Sequence, residues 1–253
     1  MHDKAASLDL GFAGRDPLAR LKLLRSQVEG RIVFTTSFGV EDQYLTDLIF
    51  SNDLAIEVAT LDTGRLFPET YKVWAETEKK YGKRIRAYYP SAAALETLVE
   101  TQGIDGQYES IPQRKTCCEV RKVAPLRRAL EGASAWVTGL RSDQSANRSG
   151  TAFVALDPSF AILKASPVAD WSRDDIVAAT EAGGVPVNAL HAQGFPSIGC
   201  APCTRAIQPG EDERAGRWWW EQDDKKECGL HLAPDGKIVP RGAANEGDSQ
   251  WAV

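Results

Sequence analysis

Short β-rich runs alternate with helical spacings along most of this chain, and that alternation limits the fold more than any other feature. Ile32-Val33-Phe34-Thr35-Thr36, Ile56 to Leu61, Ile85 to Tyr89 and Ala135 to Gly139 read as strands. Helical patterns lie between them. Asp16-Pro17 supplies an N-cap and a first helical residue, Leu18, Leu21, Leu24 and Val28 recur at helical spacing, and Gly30 stops the run. Gln43 to Phe50 reads as a helix, Pro68 opens one reaching Tyr81 with Gly82 just beyond it, and Ser91 caps one running to Gln102. Repeated strand–helix units imply an α/β fold, a mostly parallel doubly wound sheet. Ligands in such sheets bind beyond the carboxyl ends of the strands. The candidate site loops are therefore Ser37–Asp42, Leu61–Gly64 and Gly139–Arg148.

The remaining stretches carry weaker signals. Residues 1–14 are rich in Ala, Gly and Asp and read as a loose arm. Residues 103–113 read as a loop, and the adjacent Cys117 and Cys118 as the start of a helical stretch reaching Leu130. A hairpin is expected around Asp157-Pro158, and Ser172 to Asp175 forms a capping box for a helix ending at Gly183-Gly184. The pattern changes after Ala206. This divides the chain into an α/β domain over 1–206 and an appended C-terminal segment over 207–253.

Bulk properties exclude several classes. With 253 residues and 43% apolar content the chain can bury a proper core. A net charge of −5 gives no global attraction to nucleic acid or an anionic membrane. No long uncharged apolar run predicts a membrane span, and Met1-His2-Asp3-Lys4 lacks the apolar region of a signal peptide. Reduced thiols without an export signal point to the cytoplasm.

The five cysteines fall as Cys117-Cys118, Cys200-Ala-Pro-Cys203 and a solitary Cys228. Four thiolates in two tight pairs complete the shell of an iron–sulfur cluster or a zinc ion. The bland alternative is that they are small buried hydrophobes. Cys228 stands apart, among Arg214, Arg217, Lys225, Lys226 and His231. Positive surroundings lower a thiol pKa and make a nucleophile; a surface cysteine without a role is the alternative.

The loops offer an anion site. Ser37-Phe38-Gly39-Val40-Glu41-Asp42 lies where a strand hands over to a helix, so backbone N–H groups, the Ser37 hydroxyl and the Gly39 backbone can approach an anion. An ordinary βα turn fits equally, because the loop is neither GxGxxG nor Walker A. Arg141 and Arg148 suit a bidentate grip on phosphate or sulfate, or a solvated loop. Asp62-Thr63-Gly64 faces a nucleoside or forms a plain turn. Arg121 and Lys122 sit beside the cysteine pair or on a solvated helix face. Trp218 to Trp220 read as packing.

Together, Ser-Phe-Gly-x-Glu-Asp, Leu61-Asp62-Thr63-Gly64, Cys117-Cys118-x-x-Arg121-Lys122, Gly139-Leu140-Arg141-x-Asp143-Gln144-Ser145, Cys200-x-x-Cys203 and Glu227-Cys228-Gly229-Leu230-His231 resemble the sulfonucleotide reductases. The resemblance runs from about Ile32 to His231 and falls in the branch that binds a [4Fe–4S] cluster and uses adenylyl sulfate. It implies a sheet of the adenine-nucleotide alpha-hydrolase-like, PP-loop type, closed by a C-terminal lid. It implies Cys228 as the catalytic nucleophile and Cys117, Cys118, Cys200 and Cys203 as cluster ligands. It places substrate at Ser37, Gly39, Leu61, Thr63, Gly64, Lys122, Arg141, Arg214, Arg217 and His231. Adenylyl sulfate becomes sulfite and AMP through an enzyme S-sulfocysteine, with thioredoxin or a glutaredoxin-like protein as reductant, in assimilatory sulfate reduction and cysteine biosynthesis. A homo-oligomer is compatible with this. Three other readings stay open: phosphoadenylyl sulfate reduction, an ATP pyrophosphatase of the PP-loop type, whose Ser-Gly-Gly-x-Asp-Ser loop is absent here, and a zinc-stabilised binding module.

Overall fold

A computed structural model describes residues 1–144, 148 and 150–221. Among the described residues, six strands form one sheet in the order β3-β2-β1-β4-β6-β5. They are β1 (Arg31–Thr36), β2 (Glu57–Leu61), β3 (Arg86–Tyr88), β4 (Ala133–Val137), β5 (Val154–Asp157) and β6 (Ile162–Ala165). All neighbours are parallel except the β5–β6 hairpin, which is antiparallel. From β1 the chain moves outward through β2 and β3, then returns to place β4 on the other side of β1. The order therefore reverses between β1 and β4, and a crevice opens at their carboxyl ends.

The central strands β1, β2 and β4 are buried on both faces, as parallel strands flanked by helices must be. Ile32 and Phe34 of β1 and Ala135 and Val137 of β4 point into one core with Leu21, Leu24, Leu45, Ile49 and Ile176. Val33 and Trp136 point the opposite way, against Leu126, Ala129 and Leu130. The helices are α1 (His2–Phe12), α2 (Pro17–Gln27), α3 (Val40–Ser51), α4 (Pro68–Tyr81), α5 (Ala92–Gln102), α6 (Ile111–Cys118), α7 (Ala124–Leu130) and α8 (Arg173–Ala182). Their ends follow local chemistry. Asp16 caps α2 by accepting from Ala19 N, Ser91 caps α5, Ser172 and Asp175 form the capping box of α8, and Gly82 ends α4 in the left-handed region at φ 63°.

Three expectations need correction. Residues 1–14 are not a loose arm: α1 buries Ala5, Leu8 and Phe12 on one face, and Asp9 Oδ1 accepts from Val154 N at 3.0 Å, covering the edge strand β5. Residues 103–113 are not all loop. They hold a 3₁₀ turn at Gly106–Tyr108 and the start of α6, where Ser110 accepts from Gln113 N and Pro112 occupies the first turn. The paired cysteines consequently end α6 and do not open the helical stretch. A π turn, Glu119–Val123, links Cys118 to α7. The expected signature helices and strands elsewhere shift by only a few residues. No helix among the described residues is long and apolar enough to cross a membrane.

Candidate active site and the four-cysteine cavity

The crevice between β1 and β4 opens into a cavity of about 190 Å³. Ser37, Gly39, Leu61, Thr63, Lys122, Arg214 and Arg217 all line it, drawn from loops after β1 and β2, the π turn and the segment after residue 206. Gly64 and Arg141 do not line it, and Cys228 and His231 lie outside the described residues.

The β1 loop is held by its own side chains. Phe38 sits at φ 61°, a left-handed value for a non-glycine residue. Its N–H donates to Thr36 Oγ1 at 3.0 Å, and its ring stacks on Trp74 with centroids 5.5 Å apart. Ser37 donates to Asp42 Oδ2 through both its backbone N–H, at 2.6 Å, and its hydroxyl, at 2.7 Å. Burial pushes the Asp42 carboxyl up to about 7, opposed by the Ser37 hydrogen bonds and the Arg148 charge, and reinforced by Glu41. Gly139 follows β4 directly against this carboxylate, and a Cβ there would overlap Asp42 Oδ1. The backbone after β4 approaches α3 this closely only because residue 139 is glycine.

Arg141 differs from its expected place on the anion. Its side chain is fully buried, and all three guanidinium nitrogens meet carboxylates: Nε donates to Glu41 at 2.9 Å, one terminal nitrogen to Asp143, and the other to both oxygens of Glu213 at 3.0 and 3.1 Å. Gln144 joins the network by donating to Glu41 at 3.0 Å. Glu41 and Glu213 line the cavity, so Arg141 neutralises from behind two carboxylates that would otherwise repel an anion. The facing cations are Lys122, Arg148, Arg214 and Arg217.

A second, smaller cavity of about 20 Å³ adjoins the first. Cys117, Cys118, Cys200 and Cys203 all line it, with Arg65, Arg114, Arg121, Lys122, Arg217 and Trp218. Lys122, Arg217 and Trp218 line both cavities and form the wall between them. The π turn after Cys118 aims this chemistry: Arg121 is buried and donates to the Thr63 carbonyl at 2.7 Å, while Lys122 reaches the shared wall. Arg217 lies across Gly199, where a Cβ would stand 2.6 Å from its Cζ. Trp218 is buried with Arg114 and Arg217 over its ring at 4.8 and 4.9 Å, whereas Trp219 is exposed and meets only Tyr108 and Trp220, edge-on, among the described aromatic rings.

The cysteines occupy unlike environments. Burial raises the Cys117 thiol, and burial with the Cys200 charge raises Cys203 to about 11. Burial would raise Cys200 too, but Lys122, the Thr63 hydroxyl, Arg217 and Arg121 together outweigh it, so its pKa falls. Arg121 Nε, Arg217 Nε and Trp218 Nε1 are buried beside these thiols and have no hydrogen-bond partner among the described residues. Four thiols ringed by cations and three unused N–H donors are the setting that an iron–sulfur cluster needs for its thiolates and sulfides. No three His, Cys, Asp or Glu side chains converge on a single metal position among the described residues.

Arg148, read as one of two anion-gripping arginines, lines the large cavity; so do Glu41, Asp42 and Gln144, which stood in the sequence motifs without a role of their own, and Glu213 and the Pro196–Gly199 approach to Cys200, which no sequence signal marked. Acidic residues at a strand–helix anion site argue against an anion when read alone, and only the buried Arg141 reverses that reading.

Residues 31–206 match the model of the phosphoadenosine phosphosulfate reductase domain. A protein of Rhizobium meliloti (strain 1021) named adenosine 5′-phosphosulfate reductase is 52% identical over 96% of this chain and 89% of its own length. A protein of the same name from Allochromatium vinosum is 52% identical over 79% of this chain and 78% of its own. One from Neisseria meningitidis serogroup B is 43% identical over 88% and 94%. In fold, the chain is similar to the phosphoadenylyl-sulfate reductase of Candida auris, solved with phosphate, with a TM-score of 0.67, 24% identity, and 78% and 94% of the two chains covered.

Proposed function

This chain belongs to the phosphoadenosine phosphosulfate reductase family of enzymes, and from that premise we propose that it reduces adenylyl sulfate to sulfite and AMP. One observation carries the reading: a cavity at the β1–β4 switch point shares a wall of Lys122, Arg217 and Trp218 with a cavity ringed by four cysteines. Relatives of about half-identical sequence that are named for adenosine 5′-phosphosulfate support the choice of nucleotide.

Adenosine rests along the strand ends at Leu61 and Thr63, and the Gly39 backbone lies beside the phosphosulfate. The phosphosulfate faces Ser37, Lys122, Arg214 and Arg217, with His231 joining from the C-terminal segment. Arg141 assists by masking Glu41 and Glu213. The Cys228 thiolate attacks the sulfate sulfur, forming a Cys–S–SO₃⁻ bond as the sulfur–oxygen bond to AMP breaks. Charge grows on the leaving phosphate, where the fixed cations stabilise it. A thiol of an external dithiol protein then attacks the Cys228 sulfur and releases sulfite. The second thiol of that protein resolves the mixed disulfide and restores Cys228, so two electrons come from the reductant. Thioredoxin or a glutaredoxin-like protein has the required dithiol.

Cys117, Cys118, Cys200 and Cys203 would hold a [4Fe–4S] cluster. Such a cluster, when bound, supplies a fixed electrostatic centre and a tie between α6 and the Cys200 loop. Lys122 and Arg217 stand between it and the substrate. The test is anaerobic purification with iron and acid-labile sulfide analysis, and kcat/KM for adenylyl sulfate and its 3′-phosphorylated form on the same sample. About four irons per chain and a preference for adenylyl sulfate are expected. Iron-free active protein, or a preference for the 3′-phosphate, contradicts the reading.

A further inference from the structure

We propose that Glu213 is a latch: by gripping the buried Arg141 it seats the loop over residues 205–217 so that Arg214 and Arg217 face the bound phosphate, which makes Glu213 a positioning residue for the reaction. The inference rests on the function proposed above and deepens it, because it gives a role to a carboxylate that stands in an anion-binding cavity.

The loop is built as one piece. At its neck Arg205 N donates to Gly216 O at 3.0 Å, Thr204 and Arg217 form an antiparallel bridge, and a Cβ at Gly216 would stand 2.3 Å from Arg205 O. Its first half is braced from within. The Arg205 guanidinium forks onto both oxygens of Glu211 at 2.8 Å, and Glu211 accepts from Gln208 N at 2.7 Å. Its second half is two overlapping turns, in which Ala215 N donates to Asp212 O and Arg217 N to Arg214 O, each at 2.9 Å. Residues 212–217 therefore move together, and whatever holds Glu213 also aims Arg214 and Arg217.

Glu213 reaches from this unit into the α/β domain. Both its oxygens accept from one terminal nitrogen of Arg141, at 3.0 and 3.1 Å, and Arg173 at the start of α8 lies 3.8 Å away. Arg141 is a fixed post. Its side chain is wholly buried, and its Nε donates at 2.9 Å to Glu41 in the first turn of α3. One guanidinium thus joins the arginine-bearing loop to the helix that follows the β1 loop. The Glu213 side chain is itself largely buried (19% exposed) and lines the cavity with Arg214 and Arg217.

Two effects of this carboxylate oppose each other. Through space it repels an anion, and on that ground alone its removal would tighten binding. Through the loop it holds two cations in place, and a charge-assisted contact to phosphate is worth roughly 10- to 100-fold in affinity. Arg141, in direct contact, cancels most of the repulsion, so the positional effect wins. The sign of the change on removing the charge therefore separates the two.

The test uses the full-length, anaerobically purified protein, Glu213→Gln, Glu213→Asp, and an Arg214→Ala/Arg217→Ala background with and without Glu213→Gln. AMP and adenosine affinities are measured by equilibrium dialysis, and trypsin cleavage after Arg214 is followed by fragment mass. Glu213→Gln should weaken AMP binding about tenfold, leave adenosine within about twofold, and speed cleavage about tenfold. Glu213→Asp should recover part of each change. In the double-arginine background, Glu213→Gln should alter AMP affinity by less than about twofold, because the residue acts through those arginines. Parental or tighter AMP binding by Glu213→Gln overturns the proposal. Equal losses for AMP and adenosine, or a loss that persists without the two arginines, overturn it as well, since they mark a general collapse of the cavity. If the parent binds no AMP, or forms no Cys228 adduct with adenylyl sulfate, the function proposed above fails; the cleavage rates then decide whether Glu213 seats the loop, and an unchanged rate in Glu213→Gln overturns the latch.

Discussion

The hydroxyl of Thr63 lies 3.3 Å from the sulfur of Cys200. Thr63 lines the large cavity and Cys200 the small one, so this contact is a second link across the shared wall. Thr63 also accepts from Arg65 N at 3.2 Å, and Arg65 O accepts from Ala201 N at 2.8 Å, which ties the β2 loop to the Cys200 loop. Thr63→Val keeps the shape and removes both hydroxyl contacts. A loss of about 1 kcal/mol per hydrogen bond predicts roughly 5- to 30-fold weaker AMP binding, measured by equilibrium dialysis. Unchanged affinity means that the hydroxyl plays no part in shaping the nucleotide end of the cavity.

Gly199 and Arg217 form a similar pair. A Cβ at position 199 would strike the Arg217 guanidinium, so Gly199→Ala should push that cation off the wall without removing it. A charge-assisted contact is worth about 1.5–3 kcal/mol, so both Gly199→Ala and Arg217→Ala should lower kcat/KM by about 10- to 100-fold. Steady-state kinetics decide this. A Gly199→Ala enzyme with parental kinetics would show that Arg217 need not lie where it does.

Asp42 predicts a pH-dependent stability. Its carboxyl is held near 7 against an ordinary value of 3.8, chiefly by burial. The folded chain therefore binds more protons than the unfolded chain between about pH 4 and pH 7, and stability falls as pH rises through that window. Full ionisation costs on the order of 4 kcal/mol. Asp42→Asn carries no such charge, so its melting temperature relative to the parent should climb from pH 4 to pH 7 and level off above. A difference that is flat across that range contradicts the assignment.

Arg20 holds the N-terminal helices to the sheet. It is fully buried, donates to the carbonyls of Phe12 at 2.9 Å and Pro167 at 2.7 Å, forks onto Asp170, and lies 4.2 Å over the Phe153 ring. Arg20→Ala strands two buried carbonyls and one carboxylate, and should destabilise the fold by about 3–5 kcal/mol in denaturant unfolding. A loss under 1 kcal/mol would mean that α1 stays docked without it.

How much of this was legible varies with the range of the interaction. The parallel strands could be read because Val, Ile and Phe cluster in short runs, and most helix ends because Asp16, Ser91, Ser172 and Gly82 act on their own neighbours. Helix α1 was hidden because Ala5, Leu8 and Phe12 are three apolar positions in a polar stretch, and their partner, the edge of β5, lies about 145 residues away. Arg141 shows the same limit within the site. Its motif marks an important arginine, but its partners Glu41 and Glu213 lie 100 and 72 residues distant, so only the fold reveals that it serves carboxylates. The four cysteines were easier, because two close pairs announce themselves without knowledge of what lies between.

The central claim is that Cys228 takes a sulfonate from adenylyl sulfate and that no other cysteine resolves it. The most direct measurement mixes the cluster-replete enzyme with adenylyl sulfate in the absence of reductant, then quantifies AMP and the mass of each cysteine peptide. One AMP per active site, a single sulfonate on Cys228, and sulfite released only when reduced thioredoxin is added is the predicted result. Continued AMP release without reductant, an adduct on another residue, or turnover by a Cys228→Ser enzyme would contradict it.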